Sequence, residues 1–271
     1  SVLVLGLWVR SARRSWKIAL WAMALSAVAP LQIYYSQEAR PYALVLLLVP
    51  LALYTYTRAL QSTRWSDWLL HSLVILAAFF THNLFLPWVL AFWIASLLLH
   101  TNSKQWLALA LAHGLALLAY IPGALLLWGQ ATRSGGADWI EPYWKQTPPA
   151  FAILRSLEVL SIGGKGSTLI RWFPMDNTWR WIALTLVIVV ACAALLPTKS
   201  KNQSPAPLAL PPSKFICLLV IFTLWPLLDL WLYSILRKPL YIVARYDIFA
   251  LPPLMALLAV GIGRITLNPS Q

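Results

Sequence analysis

Apolar runs separated by short polar or charged intervals fill almost the whole of this chain, and within each run the hydrophobic positions show no period-two alternation. The first run, SVLVLGLWV, reads as the tail of a cut helix, because the sequence opens on Ser1 inside an apolar stretch; it is therefore read as a piece of a longer chain. After it come Ile18–Ser36, Pro41–Tyr56, Trp65–Phe80, Leu84–Leu99, Trp106–Leu127, Trp179–Leu196, Phe215–Leu236 and Ile248–Ile262. A helix crosses the hydrocarbon core with about 20 mostly apolar residues, or somewhat fewer at the low end. Runs of this kind do not suit a transmembrane barrel. The pattern predicts an all-α fold, a polytopic transmembrane helix bundle of eight spans plus the cut helix.

Composition agrees with that solvent. Hydrophobic residues make up 60% of the chain and charged residues 11%, against about 25% charged in a soluble domain. Sixteen Trp and ten Tyr fit the two membrane interfaces, where amphipathic rings settle. A net charge of +13 would point to nucleic acid in a soluble protein. Here the charges sort by loop instead, so no nucleic-acid partner is expected.

Alternating the loops gives one set with RSARRSWK, Arg58 and Arg64, Lys104, the linker lysines and Arg264. It holds eleven positive charges and a single acid, Asp67, while the other set holds ten positive and seven negative charges. The positive-inside rule makes the first set cytoplasmic. The other, external side then carries IYYSQEARPYAL (Ile33 to Leu44), His82, the long stretch from Trp128 to Arg180, and RKPLYIVARYD, with Glu38, Asp138, Glu141, Asp229 and Asp247 among its acids. Within the long external loop, TPPAFAILRSLEVLSI places Pro148 and Pro149 at a helix start and Phe151, Leu154 and Leu157 at helical spacing. That predicts a short interfacial helix, with Trp139, Trp144, Trp172, Trp179 and Trp181 around it as a headgroup-level belt or as platforms for sugar faces. The five prolines of Pro197–Lys214 mark a cytoplasmic linker. The domain reading is a transmembrane core over 1–196, the linker over 197–214 and a transmembrane hairpin over 215–271.

Several signals reduce to ordinary readings. IGGKGST (Ile162 to Thr168) has Val159 where a phosphate loop needs its first Gly, and Gly166 where it needs Ser or Thr, so it reads as a turn. Cys192 and Cys217 lie in apolar runs far from any His, which excludes a zinc spacing and reads as two buried thiols. His71, His100 and His113 read as hydrogen-bonded packing residues, whereas His82, in FFTHNLF, sits where it can meet an anionic headgroup.

Tyr34, Tyr35, Glu38, Arg40 and Tyr42 form a denser signal. Pro41 disfavours helix at Arg40 and suits a helix start, so the chain turns there. A helix running to Glu38 would put Tyr34 and Glu38 one turn apart on one face. An arginine at the lipid–water boundary can fork onto a phosphate; equally, these residues can be an interfacial tyrosine belt with a local Glu38–Arg40 pair. Arg237, Lys238, Arg245, Tyr246 and Asp247 form a second basic cluster on the same side, either snorkelling anchors or the other half of a phosphate cradle.

YYSQEARPYAL after an apolar helix, THNLF at a hairpin tip, AYIPGALL with GGADWIEP, and ARYDIFALPPLMALLAVGIG together resemble the bacterial GT-C glycosyltransferases, in particular the protein mannosyltransferase-like group and its RgtA/B/C/D-like relatives. The resemblance implies a multipass enzyme of the bacterial inner membrane that takes a sugar from a polyprenyl-phosphate carrier and passes it, with inversion, to a glycan, lipid or protein acceptor on the periplasmic face. It implies a polyprenyl-phosphate-linked sugar as donor substrate and no need of ATP, and it leaves the metal requirement open. Tyr35, Glu38, Arg40, Tyr42, His82, Arg245 and Tyr246 are the expected substrate contacts, with Arg40 on the phosphate and Arg245 second. The family's catalytic acid, an Asp or Asp-Glu pair in the first external loop, is expected upstream of Ser1, and no Asp-Glu pair occurs in this sequence. Glu38 and Asp247 are the fallback bases, and the chain alone is expected to be inactive. A lipid-linked sugar flippase is the alternative; it would require polar groups deep along a path. A structural membrane subunit is the third reading.

Overall fold

A computed structural model describes residues 1–62, 64–131, 140–145, 149–163, 177–196 and 210–266. Among these the chain forms helices and short 3-10 turns, with no strand: α1 (Val2–Arg13), α2 (Trp16–Val28), α3 (Pro30–Gln37), α4 (Tyr42–Gln61), α5 (Trp65–Thr81), α6 (Phe85–Trp88), α7 (Leu90–Leu98), α8 (Ser103–Ala119), α9 (Ile121–Ala131), α10 (Glu141–Lys145), α11 (Ala152–Ser161), α12 (Asn177–Ala193), α13 (Pro212–Leu236) and α14 (Leu251–Thr266). The linker residues 197–209, most of IGGKGST, and Trp139, Trp172 and Asp138 lie outside the described residues.

By length and composition three helices can cross a membrane, Tyr42–Gln61, Pro212–Leu236 and Asp247–Thr266, and five can if each of two bent pairs counts as one span. Among the described residues this count does not reach the eight spans expected. Proline accounts for much of the difference. The run Ile18–Ser36 divides into α2 and α3 with a 59° bend, because Ala29, forced to extended geometry before Pro30, ends one helix and Pro30 opens the next. Ile121 and Pro122 follow α8 with an equal 59° bend. Trp65–Thr81, Phe85–Leu98 and Trp181–Ala193 are apolar but shorter; the 17 residues of α5 reach about 26 Å, less than a hydrocarbon core of about 30 Å.

The core gathers around α4 and α14. Val45, Leu46, Val49, Ala52, Leu53 and Tyr56 are fully buried on α4, and α14 is buried on all sides from Leu251 to Gly261, packed by α2, α12 and α13. Phe85, Trp88, Phe92, Phe222 and Phe249 join α6, α7, α13 and the turn before α14 through tilted and edge-to-face contacts, with centroids 4.7 to 6.1 Å apart.

Several polar side chains inside this core are paired across helices. Thr55 meets His71 Nδ1 at 3.1 Å, His71 Nε2 meets His113 Nε2 at 3.1 Å, and Ser72 donates to the Ala112 carbonyl at 2.7 Å. The two histidines, expected as hydrogen-bonded packing residues, thus bond to one another across α5 and α8. A nitrogen–nitrogen bond needs one donor and one acceptor, so the pair cannot carry two charges.

The helices also sort the charges to two ends. Gln105 bonds the Leu60 carbonyl, Lys214 the Leu99 carbonyl, Arg264 the Leu196 carbonyl, and the Leu210 amide the Ala12 carbonyl; these bonds bring the RSARRSWK, Arg58, Lys104, Lys214 and Arg264 segments to one end of the bundle. At the other end Tyr35 meets Ala244, Tyr120 meets Asn83 and Ser156 meets Tyr241.

The close approach of α12 and α14 is testable. A Cβ on Gly261 would lie 1.9 Å from the Val190 carbonyl oxygen, whereas one on Gly114 would meet nothing within 4 Å. In detergent, Gly261→Ala is expected to lose about 1–3 kcal/mol by overpacking and Gly114→Ala to gain up to about 1 kcal/mol of helix propensity. Thermal melts that rank the two variants the other way would contradict this packing.

Candidate functional site

The motif IYYSQEARPYAL folds as the end of α3, a turn and the start of α4. Helix α3 stops at Gln37, and Glu38 is extended, with φ −96° and ψ 134°. Glu38 therefore leaves the face carrying Tyr34, contrary to the one-turn pairing expected. Pro41 caps α4 as predicted, and the Arg40 amide closes the turn on the Glu38 carbonyl at 2.8 Å. Tyr35 and Tyr42, on either side of the turn, bring their ring centroids to 4.7 Å.

Distant segments complete the cluster. The His82 ring, just past the end of α5, lies 5.6 Å from Tyr42, 5.7 Å from Tyr246 and 5.8 Å from Phe249. A continuous chain of rings, Tyr34, Tyr35, Tyr42, His82 and Tyr246, thus crosses from the α3–α4 turn to the segment before α14. Arg40 stands on its rim with half of its side chain exposed and its Nε 3.4 Å from Glu38 Oε2. Arg245, Arg40 and Glu38 all lie within electrostatic range of the Tyr42 hydroxyl.

The segment before α14 is held in an uncommon shape. Ala244 has φ 68°, a left-handed conformation that disfavours a side chain. Two side chains fix it there: the Tyr35 hydroxyl donates to its carbonyl at 2.6 Å, and its amide donates to Asp247 Oδ2 at 3.1 Å. Asp247 is fully buried, and its Oδ1 has no hydrogen-bond partner of good geometry. Its location suits a residue that shapes the loop carrying Arg245 and Tyr246. An acceptor could reach its carboxylate only if that loop moved.

Compared with protein-family models, curated proteins and solved structures, the chain finds no match. The site therefore stands on its own geometry.

Helix α11 adds residues that the sequence reading did not assign to the site. Ser156 and the Tyr241 hydroxyl are 2.7 Å apart in the interior, Arg155 pairs with the buried Glu158, and α11 packs on α3 and on the turn of Asp247. Its buried face is Ala152, Ser156, Val159 and Leu160, while Phe151 points outward; the expected apolar face of Phe151, Leu154 and Leu157 is rotated. The signal available in the sequence was Arg155 and Glu158 at i,i+3 together with Tyr241 inside RKPLYIVARYD. Trp144 packs on Tyr241, whereas Trp179 and Trp181 are exposed. Cys192 is exposed and Cys217 half-buried, which corrects the expectation of two buried thiols for Cys192. No three of His, Cys, Asp and Glu lie together among the described residues.

Burial sets the protonation of the cluster. Removal from water brings the His82 imidazole down to about 4, and its Nδ1 accepts from the Leu84 amide at 3.2 Å, which also requires that nitrogen to be unprotonated. His82 is thus a neutral ring at neutral pH and can offer a hydrogen bond but no positive charge. Burial likewise pushes the Tyr246 phenol up, with Arg245 pulling the other way.

Two predictions follow from these contacts. Tyr35→Phe should cost about 0.5–1.5 kcal/mol and Asp247→Ala, which strands the Ala244 amide, about 1–3 kcal/mol; unchanged melts would remove the two clamps. His82, at about 4 when folded and about 6.5 when unfolded, binds its proton more readily in the unfolded chain. Its contribution to stability is complete above the unfolded value and is lost as pH falls from there towards 4. Replacing it in His82→Gln should flatten that part of the stability–pH curve, measured as melting temperature in detergent.

Proposed function

We propose that this chain forms the carrier-phosphate side of a polytopic membrane glycosyltransferase, which moves a sugar from a polyprenyl-phosphate carrier to an acceptor at the external, periplasmic face. The observation that carries the reading is the half-exposed Arg40 guanidinium on the rim of a buried aromatic cluster, with Arg245 acting electrostatically on the same Tyr42 hydroxyl. In the reaction the acceptor hydroxyl oxygen bonds the anomeric carbon and the bond from that carbon to the phosphate oxygen breaks. The carrier phosphate leaves with the electron pair, and the acceptor proton passes to a carboxylate. Fixed cations stabilise the departing phosphate, and a positioned carboxylate takes the proton.

Arg40 is assigned to the phosphate, with Arg245 second. Tyr35 and Tyr42 support the turn that presents Arg40, His82 donates a hydrogen bond from a neutral ring, and Tyr246 closes the far wall. Of the two acids in the cluster, Glu38 keeps part of its side chain in solvent while Asp247 is enclosed. Glu38 is accordingly the better-placed base within this chain. Glycan, lipid and protein acceptors all satisfy this chemistry. The flippase reading draws on the His71–His113 pair, polar groups in mid-bundle, but both side chains are sealed at 1% exposure or less and line no path.

Arg40→Ala should lower sugar transfer from a polyprenyl-phosphate donor by about a hundredfold, and Arg40→Lys should restore only part, since an ammonium lacks the guanidinium fork. Retained folding is checked by the melting temperature. Unchanged turnover would remove Arg40 from the site. Movement of the lipid-linked sugar across proteoliposomes without any acceptor would instead favour the flippase.

A further inference from the structure

At the end of the bundle away from the aromatic cluster lies a cleft of about 790 Å³, bordered by Arg10, Arg14, Arg58 and Arg64. Helix α4 connects the two places: Tyr42 begins it and Gln61 ends it, a rise of about 30 Å over its 20 residues. The cleft thus belongs to neither the residues nor the chemistry of the proposed glycosyl site.

Its charge is poorly balanced from within. Asp67 is the acid on its wall, buried and committed to Arg58, with Nε to Oδ1 at 2.8 Å. Four guanidinium groups and one carboxylate leave three positive charges. Among the described residues no acid lies within ion-pair distance of Arg10, Arg14 or Arg64. Arg10 lays its guanidinium over the Trp16 ring at 5.2 Å, a contact through the plane that leaves its edge donors available. Arg14 turns into the cleft from a left-handed residue at the end of α1, φ 52°.

Topological bias places arginines on one side of a membrane, but it does not make them converge on one concavity. A second observation marks the cleft as lacking an acceptor: the side-chain amide of Gln61, on its wall, is a buried donor with no hydrogen-bond partner. A buried donor left unpaired costs free energy, and an incoming anion would satisfy it. The start of α5 reaches the same wall through Arg64, which caps that helix without a side-chain bond to its free amides; these amides add positive potential there. Leu7, one turn before Arg10 and Ser11 on α1, is 58% exposed and also lines the cleft. It supplies the apolar step that an acyl chain beneath a headgroup would need.

We propose that this cleft is an anion site for a phosphate-bearing ligand, either the headgroup of an anionic membrane lipid or a free phosphate or pyrophosphate. Arg10, Arg14 and Arg64 supply the charge, and Gln61 a neutral hydrogen bond. Basic pockets at helix ends capture anionic headgroups by this balance of fixed charge and shape, and the volume lies within the range of small-ligand sites.

The test uses the full chain in micelles containing equal amounts of phosphatidylglycerol and phosphatidylcholine, with lipid retention read by native mass spectrometry. The expected result is selective retention of phosphatidylglycerol, reduced about thirtyfold in Arg14→Gln/Arg64→Gln. Lys104→Gln, on the neighbouring α8 but outside the cleft, should leave retention unchanged. A calorimetric titration with sodium pyrophosphate in lipid-free micelles separates the sources. Pyrophosphate binding that the double variant abolishes assigns the site to a soluble anion, and selective lipid retention without it assigns the site to a headgroup. Retention insensitive to the double variant, with no pyrophosphate binding, would overturn the proposal. Far-ultraviolet circular dichroism confirms that the two exposed substitutions leave the helices intact.

Discussion

The hydrogen bond from the Tyr35 hydroxyl to the Ala244 carbonyl, 2.6 Å long, ties together parts of the chain 209 residues apart. On one side of it is the turn that presents Glu38 and Arg40; on the other is the left-handed bend that presents Arg245 and Tyr246. A non-glycine residue at positive φ persists only where its surroundings hold it. Here the holders are Tyr35 and Asp247, one from each side. Without them the two arginine-bearing turns would lose the tie between them, and with it the support for the tilted and edge-to-face rings that lie in between. The buried carboxylate of Asp247 thus makes sense as a structural group: its charge is met by a backbone amide of the segment that it shapes, and that segment is the wall of the candidate site.

The bundle supports this by separating two kinds of polar group. Several of those in its interior are paired with one another, as in Thr55, His71 and His113 Nε2, because an unpaired donor or acceptor away from water is costly, although His113 Nδ1 and Thr223 Oγ1 have no partner among the described residues. Charged groups are pushed to the two ends, where headgroups and water can solvate them. Helix α4 carries both outcomes along one rod, a tyrosine at its start inside the aromatic cluster and Arg58 and Gln61 near its finish beside the basic cleft.

The apolar runs made the all-helical class legible, and alternating loops separated the charges into two groups that the structure brings to opposite ends. The number of spans was not legible in the same way. Hydropathy sums over Ala29–Pro30 and over Tyr120–Ile121–Pro122 as if the chain were straight, whereas the missing proline donor and the restricted residue before it bend the helix. In the site, Arg40, Tyr42, His82, Arg245 and Tyr246 stood out because each is polar or aromatic at the edge of an apolar run, and the structure brings them together. Ser156 and Tyr241 did not stand out: 85 residues separate them, and a contact at that separation leaves no periodic trace. The His71–His113 pair was hidden for the same reason, since 42 residues separate them.

Arg40 is tied to Glu38 only loosely, and this bears directly on what it can do. The two groups meet at 3.4 Å with the arginine half in solvent, and an exposed pair of this kind is worth about 0–1 kcal/mol. A phosphate offers a guanidinium two parallel hydrogen bonds in place of one weak contact, and the apolar cluster behind Arg40 lowers the local dielectric that would otherwise screen them. Under the proposed function, a phosphate taking Arg40 would leave Glu38 Oε2, buried and without a hydrogen-bond partner among the described residues, as an uncompensated acceptor for the proton of a neighbouring hydroxyl. In the enclosed pair of Arg155 and Glu158 the same exchange would strand a buried charge. Under the proposed function the pair on the rim, and not the better-formed one inside, is therefore the one assigned to the phosphate.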